Sequence, residues 1–272
     1  MRSAPPTLGL IQPRKISFPF DPAVIPRHWV SGKAVPTAMV NALQLIFPKG
    51  ERFFVRSVRR FQDRVSPGLR EQVRGFFGQE GRHAQEHERF FAIIEAHGFT
   101  VERFLRIYEA IAYRGIEHFA PAKLSLSVTV ALEHYTAILA ESIFEEGELE
   151  RFHPAVRELL AWHAAEEIEH KAVAFDVLAE VDDSYALRMG GMALATATLI
   201  GFWALGATML IRQEELGARE VVRQFRELRQ HKPILRTVFM RGIREYLRRD
   251  FHPWDHDNLG LARDYLAGLA AA

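Results

Sequence analysis

The sequence predicts an all-α protein in which a four-helix bundle is followed by additional C-terminal helices. Two observations indicate this fold. Beyond about residue 36, apolar residues recur at helical spacing almost throughout the chain, and short breaks that contain Gly or Pro separate the helical stretches. The long stretches form two pairs of similar layout with a longer connection between them, which is typical of a bundle with one crossover.

Three parts are predicted along the chain. Residues 1–36 are rich in Pro and predict an irregular surface arm, with no apolar run that would indicate a secretory signal. Residues 37–182 are assigned to the bundle, and residues 183–272 to a C-terminal helical extension. A cytoplasmic location is the default expectation.

Prolines, glycines and capping residues set the limits of the predicted helices. Pro48 interrupts the first helix, where we expect a kink or a break. Ser66 and Pro67 are typical of a helix start, and Gly98 is typical of a helix end. The predicted helices span residues 37–65, 66–98, 100–119, 121–147 and 154–182.

Two Glu-x-x-His motifs carry the functional signal. Glu80 and His83 stand at i and i+3, so their carboxylate and imidazole share one face of the second helix. Glu167 and His170 repeat this arrangement on the predicted helix over residues 154–182. One such motif alone is most often an exposed contact. Two motifs in polar surroundings, on helices that must each bury one face, indicate a metal that compensates the buried charge.

A lone glutamate precedes each motif on the neighbouring helix. Glu51 lies 29 residues before Glu80, and Glu133 lies 34 residues before Glu167. Each separation equals about one long helix plus its turn, so each lone glutamate reaches the level of the motif on its antiparallel neighbour. This is the ligand pattern of ferritin-like di-iron and di-manganese bundles. The predicted metal ligands are Glu51, Glu80, His83, Glu133, Glu167 and His170.

The ligand types restrict the metal. The chain has no cysteine, which excludes disulfides and thiolate sites. Four carboxylates and two imidazoles suit two Fe ions, with Mn or a mixed Mn/Fe pair as alternatives, whereas Zn accepts such ligands but is less expected. Glu80 and Glu167 are the natural bridging ligands. Glu51 and Glu133 are the terminal ones.

Several further polar residues lie near the motifs. His87 and His163 are each one helical turn from a predicted ligand, so each is an additional ligand, a partner that orients a carboxylate, or an ordinary helix histidine. His134 points away from its neighbour Glu133 and is a weaker candidate. Glu166 and Glu141 are also weaker candidates, and each has an ordinary structural role as the alternative. His252 and His256 could form a mononuclear metal motif, but a packed turn anchored by Trp254 is favoured.

Four segments together resemble the bacterial family called predicted metal-dependent hydrolases. They are residues 47–54, 80–87, 131–137 and 166–171, and the resemblance extends over residues 25–257. That family looks like a branch of the ferritin-like di-iron carboxylate superfamily, so the resemblance implies a ferritin-like bundle. The family name implies hydrolysis, whereas the ligand pattern resembles that of oxygen-activating enzymes. About ninety residues continue beyond the bundle, and the resemblance leaves substrate and site access open.

The main functional hypothesis is a di-iron oxidoreductase that activates O2 to oxidise a hydrophobic substrate. An acyl or alkyl chain is expected because an apolar segment follows the bundle and several phenylalanines lie near the ligands. These are Phe53, Phe54, Phe76, Phe77 and Phe175. One alternative is a dinuclear metal-dependent hydrolase of an ester or phosphoester. Another is a non-enzymatic iron-handling protein.

Partners are indicated by the charge pattern. A formal net charge of +1 argues against nucleic acid. Residues 189–211 carry no charge and are long enough to span a membrane, although a helix buried against the bundle or paired in a homodimer has the same composition. The basic residues that follow suit either the inner face of a membrane or a solvated helix. They include Arg219, Arg223, Arg226 and Arg229. The sequence identifies no redox partner.

Overall fold

The chain is all-α, as predicted, in a computed structural model that describes residues 9–145, 147–230 and 240–271. These residues contain no β-strand, and Val30 and Phe152 form an isolated antiparallel bridge. A π-helix, Glu109–Glu117, continues α3. The α-helices are α1 (Ala34–Arg59), α2 (Pro67–Ala96), α3 (Glu102–Tyr108), α4 (Ala122–Glu145), α5 (Pro154–His170), α6 (Val173–Val181), α7 (Tyr185–Ile211), α8 (Ala218–Gln230), α9 (Arg241–Tyr246) and α10 (Leu259–Ala271).

Helices α1, α2, α4 and α5 form the four-helix bundle. α1 packs along α2 and α4 packs along α5, and the two pairs meet through α1 with α4 and α2 with α5. Leu45, Phe76 and Leu126 are fully buried between them. Each such side chain contributes about 1.5–3 kcal/mol through burial. The bundle is therefore held by apolar packing around a polar centre. The division of the chain into three separate parts stays a prediction.

The first helix differs from its prediction at both ends. α1 starts at Ala34 and runs without a break through Pro48 to Arg59. The expected break is absent because Pro48 is buried inside the bundle, where packing offsets the lost hydrogen bond. Phe61 and Val65 lie beyond the helix but are buried in the core. Their apolar character therefore reflects burial rather than helix continuation.

The predicted helix over residues 154–182 is interrupted after its metal motif. α5 ends at His170, and α6 begins at Val173, so the prediction of one helix to residue 182 is wrong. The intervening Lys171 ammonium donates to the carbonyl oxygen of His256 at 2.6 Å and to Asn258 Oδ1 at 2.7 Å. The turn thus lets Lys171 bind the C-terminal segment.

The N-terminal arm lies against the bundle helices that carry the motifs. A Cβ atom on Gly75 would come within 2.4 Å of the Ile11 carbonyl oxygen, and one on Gly78 within 2.2 Å of Pro13 Cγ. No side chain fits between the arm and α2 at these positions. Phe18 extends the contact by packing on Trp162 of α5, with ring centroids 5.5 Å apart.

Helix α7 crosses α1 and α4 and is attached by one face. Gly191 meets Ser127 so closely that a Cβ atom would lie 2.1 Å from its Oγ. Trp203 Nε1 donates to the Met39 carbonyl oxygen at 2.8 Å. Among the described helices, α7 is the one long and apolar enough to cross a membrane, yet only 28% of its most apolar window is buried. The alternative of a wholly buried helix is therefore wrong.

Candidate metal centre

The six predicted ligands meet at one level inside the bundle. α1 supplies Glu51, α2 Glu80 and His83, α4 Glu133, and α5 Glu167 and His170, and every one of these side chains is buried. Their donor atoms form three groups of three, and within each group the atoms lie no more than 4.8 Å apart. The groups are Glu51 with His83 and His163, Glu80 with His83 and Glu167, and Glu80 with Glu133 and His170.

His170 faces three carboxylates. Its Nε2 atom lies 3.1 Å from Glu80 Oε1, and 3.5 Å from both Glu133 Oε2 and Glu167 Oε1. His83 Nδ1 lies 3.7 Å from the same Glu80 oxygen and 3.5 Å from the same Glu167 oxygen. Glu80 and Glu167 therefore lie between the two imidazoles, where bridging ligands are expected.

The atoms that point into this cluster lack hydrogen-bond partners. A buried polar atom left in this state costs about 1–3 kcal/mol, and a charged one costs more. Their concentration at one point is explained by a cation that binds them all, so the residues fit a metal centre. Within the six predicted ligands, the buried atoms without a hydrogen-bond partner are both oxygens of Glu51, Glu80 and Glu133, Oε2 of Glu167, Nδ1 of His83 and Nε2 of His170.

Outer hydrogen bonds turn the two motif histidines toward the cluster. His83 Nε2 donates to Glu166 Oε2 at 3.0 Å, and His170 Nδ1 donates to Gln79 Oε1 at 2.8 Å. Each imidazole therefore keeps its other nitrogen for the cluster. Arg14 of the arm donates to Glu166 at 2.9 Å. Glu166, which the sequence left between a supporting and a surface role, is a buried supporting residue.

The structure separates the roles of His163 and His87. His163 Nε2 lies 2.8 Å from Glu167 Oε1 and 3.7 Å from Glu51 Oε1, and its Nδ1 lies 2.6 Å from His87 Nε2. His87 Nδ1 donates to the side-chain oxygen of Gln44. Since that oxygen only accepts, His87 Nε2 accepts from His163 Nδ1, and the lone pair of His163 Nε2 faces the cluster. His163 thus joins the donor set, with His87 behind it.

Burial and mutual repulsion shift the pKa values of the terminal glutamates. Burial raises the pKa of Glu51 and Glu133 well above the ordinary value, and the neighbouring Glu80 and Glu167 raise it further. For Glu167, burial acts in the same direction, but His170 and the other imidazoles hold its pKa well below the ordinary value. Without metal, protons therefore compensate part of the cluster charge.

The motif histidines show the reciprocal effect. Burial lowers the pKa of His83 and His170, but the carboxylates around them outweigh it and hold both pKa values well above the ordinary range. Burial lowers the pKa of His87 and His163, and the neighbouring imidazoles lower it further. His163 and His87 are therefore neutral, as a metal ligand and the histidine bonded to it must be.

The weaker candidates lie outside the cluster. His134 Nε2 donates to the Gly242 carbonyl oxygen at 3.0 Å, and Glu141 lies 3.4 Å from Arg241. His252 pairs with Asp176 and His256 pairs with Glu245, and neither forms a three-donor group among the described residues. Trp254 is buried at this turn, which supports the packed C-terminal turn that the sequence favoured.

An apolar cavity leads to the metal centre. Its volume is about 1010 Å³ with adjoining open solvent included, and the buried residues Glu51, His163 and Glu167 are part of its lining. The walls come from α1, the π-helix, α4 and α7. Among the aromatic residues that line it are Phe47, Phe53, Phe54, Tyr108, Tyr113 and Phe202.

The predicted phenylalanines only partly account for this cavity. Phe53 and Phe54 line it, and Phe76 packs edge-on against His170 at 5.0 Å. Phe77 packs against Phe76, and Phe175 packs against Phe251, and neither lines the cavity. No pattern in the sequence indicated that Phe47, Tyr108 and Tyr113 line the cavity. Tyr113 belongs to the π-helix, a feature often found at functional sites, and no sequence pattern predicted this π-helix.

The sequence model of a protein family described as predicted metal-dependent hydrolase matches residues 12–257. No curated protein and no solved structure matches the chain significantly. The family description supports the hydrolase alternative of the sequence analysis better than the oxidoreductase that the ligand pattern first predicted. It does not mention ferritin-like proteins, so that placement stays a prediction.

Proposed function

Because this chain belongs to the family of predicted metal-dependent hydrolases, we propose that it uses a dinuclear metal centre to hydrolyse an ester or phosphoester bond in a substrate with an apolar chain. One observation supports this proposal above the others. Glu51, His163 and Glu167 line the apolar cavity, and their donor atoms belong to the buried cluster. A substrate that fills the cavity brings its end to the metal-binding groups.

The donor set suits two divalent ions. When bound, such ions polarise a carbonyl or phosphoryl oxygen and lower the pKa of a water molecule. Glu51, His83 and His163 would hold one ion, and Glu133 and His170 the other. Glu80 and Glu167 would be shared between them.

The cavity walls select the substrate and keep water away from its chain. Phe53 and Phe54 offer apolar surface to an alkyl chain, and Phe47 packs edge-on against His163 at 5.2 Å. Tyr113 donates to the Tyr108 hydroxyl at 2.6 Å, which gives the wall a polar point beside α1. Chain length, rather than charge, should therefore govern substrate preference.

The test is hydrolysis of p-nitrophenyl esters of increasing chain length by protein loaded with Zn²⁺ or Mn²⁺ under anaerobic conditions. We expect turnover without O2, a preference for longer chains, and a loss of about 100-fold or more in Glu167→Ala. Glu158→Ala is the control, because Glu158 is an exposed carboxylate on the same helix, nine residues before Glu167. Absence of turnover with every loaded metal would contradict the proposal.

A di-iron oxidoreductase is the second candidate, and the composition of the donor set favours it. Carboxylates with imidazoles and no thiolate also suit oxygen chemistry. This candidate requires O2 consumption by the Fe²⁺-loaded protein and a dependence of product formation on O2. Iron handling without turnover fits less well, because the walls of the cavity are mainly apolar and offer no polar path for an ion.

A further inference from the structure

Helix α7 and the segment that carries the π-helix both line the cavity. α7 contributes Leu194, Leu199 and Phe202 to its walls, and the π-helix segment contributes Ile116 and Ala120. The outer surface at this place is unusually apolar. Three bulky side chains there are exposed, and each is the chain neighbour of a residue that lines the cavity. They are Ile111 (50% exposed), Phe119 (82%) and Ile200 (42%), next to Ala112, Ala120 and Leu199.

The outward face of α7 continues this apolar surface. Residues 185–212 contain no acidic side chain, and the stretch 189–211 contains no charge at all. A helix face in contact with water normally carries polar or charged residues. The exposed positions of α7 are instead Ala186, Gly190, Ala193, Ala197, Ile200, Gly201, Ala204 and Thr208.

Basic side chains flank this face at both ends. Arg249 is exposed and stacks over the ring of Tyr185 at the start of α7, 4.4 Å from its centroid. Arg212 is exposed directly after its end. An uncharged face between two cationic groups is complementary to a lipid surface, whose apolar region lies below anionic headgroups.

Attachment of α7 to the bundle excludes a membrane-spanning arrangement of this fold. Its inner face is held by the contact of Gly191 with Ser127 and by the hydrogen bond from Trp203 to Met39. Crossing a bilayer would require these contacts to break. A second copy of the chain packed on α7 would bury this uncharged face between two proteins. A bilayer covers the same face, places anionic headgroups near Arg212 and Arg249, and supplies apolar molecules beside residues that line the cavity.

We propose that α7, together with Ile111 and Phe119, docks on the surface of a lipid bilayer, and that the apolar substrate enters the cavity from the membrane. The inference that this surface docks on a bilayer depends only on its exposed residues. The entry of substrate rests on the proposed function.

The first test is flotation with phosphatidylcholine vesicles, with and without phosphatidylglycerol. The wild-type protein should float with the vesicles, more strongly with the anionic lipid. Phe119→Asp and Ile200→Asp should each weaken partitioning by about tenfold. Val24→Asp is the matched control, because Val24 is an exposed apolar residue, at 60% exposure, that belongs to the arm and not to α7 or the π-helix segment. Equal losses in all three variants, or no flotation of the wild type with either lipid, would overturn the proposal.

The second test uses the absence of cysteine from the chain. Ala197→Cys on α7 and Ala92→Cys on α2 are both exposed positions, and each can carry a single environment-sensitive fluorophore. Vesicles should shift the emission of the label at 197 to the blue and leave that at 92 unchanged. The proposal would be overturned in favour of a second copy if the cysteines at position 197 of two chains cross-link on oxidation and the resulting stable dimer does not bind vesicles. Glu167→Ala should float like the wild type, so loss of hydrolysis and loss of docking are separate results.

Discussion

The Nε2 atom of His163 lies 2.8 Å from Oε1 of Glu167, one turn further along the same helix. This contact adds a third imidazole to the two that the Glu-x-x-His motifs supply. Because His163 also lines the apolar cavity, it occupies the boundary between the metal centre and the space for substrate. Its removal should therefore affect both.

Replacement of His163 should weaken metal binding more than replacement of His87. We expect His163→Ala to lose metal affinity by about 100-fold and His87→Ala by about 10-fold, because His87 acts only through its hydrogen bond to His163. Metal content after competition with a chelator measures both effects. His118→Ala, an exposed histidine outside the bundle, should retain full metal content. Equal affinities of His163→Ala and the wild type would exclude His163 as a ligand.

The sequence could predict that the four motif residues lie together in pairs because helical periodicity fixes which side chains share a face. Glu80 and His83, for example, must emerge together whatever the packing. It could not separate His87 from His163, since both stand one turn from a motif and only the contact between α2 and α5 decides which nitrogen reaches the cluster.

The predicted end of the helix that carries Glu167 and His170 was wrong for a related reason. Periodicity continues through Lys171, and only its bonds to His256 and Asn258, distant in sequence, explain why α5 ends there. In the same way, Phe47 and Tyr108 look like ordinary core residues until α1 and α3 place them around one cavity. Contacts between remote segments carry this information, and a local pattern does not.

Arg14 should support metal binding from outside the cluster. Its guanidinium donates to Glu166 at 2.9 Å, and Glu166 in turn orients His83. We expect Arg14→Met to lower metal affinity by about tenfold. Arg89→Met is the matched control: Arg89 also fastens the arm, through Ser17 and the Phe18 carbonyl oxygen, but contacts no predicted ligand. A similar loss in both variants would mean that the arm, and not the bond to Glu166, is responsible.

Gly75 and Gly81 should respond in opposite ways to substitution by alanine. A Cβ atom at Gly75 would meet the backbone oxygen of Ile11 at 2.4 Å, so Gly75→Ala should displace the arm and cost about 1–3 kcal/mol of unfolding free energy. Gly81 lies on the same helix with nothing within 4 Å of its Cβ position. Gly81→Ala should stabilise the helix by about 0.5–1 kcal/mol. Urea unfolding measures both, and a neutral Gly75→Ala would show that the arm is not packed there.

Metal-free and metal-loaded protein should differ in how stability depends on pH. The raised pKa values of Glu51 and Glu133, above 4.5, and of His83 and His170, above 6.5, mean that the folded metal-free chain holds protons that the unfolded chain has released. The resulting stability is present below the unfolded pKa values and is lost as pH rises through the folded ones. His87 and His163 have lowered pKa values and oppose this trend only below about pH 6.5.

Above pH 6.5, the Tm of the metal-free protein should therefore fall as pH rises, whereas metal ions displace the same protons and should remove most of this dependence. The rise in Tm on addition of Zn²⁺ should consequently grow between about pH 6.5 and 8.5. Differential scanning calorimetry at several pH values measures this difference. Glu88→Gln, which changes an exposed carboxylate on α2, should leave the pH profile unchanged, while Glu133→Gln should flatten that of the metal-free protein. A metal-free Tm that stays constant or rises over this range would show that the cluster does not retain protons in place of cations.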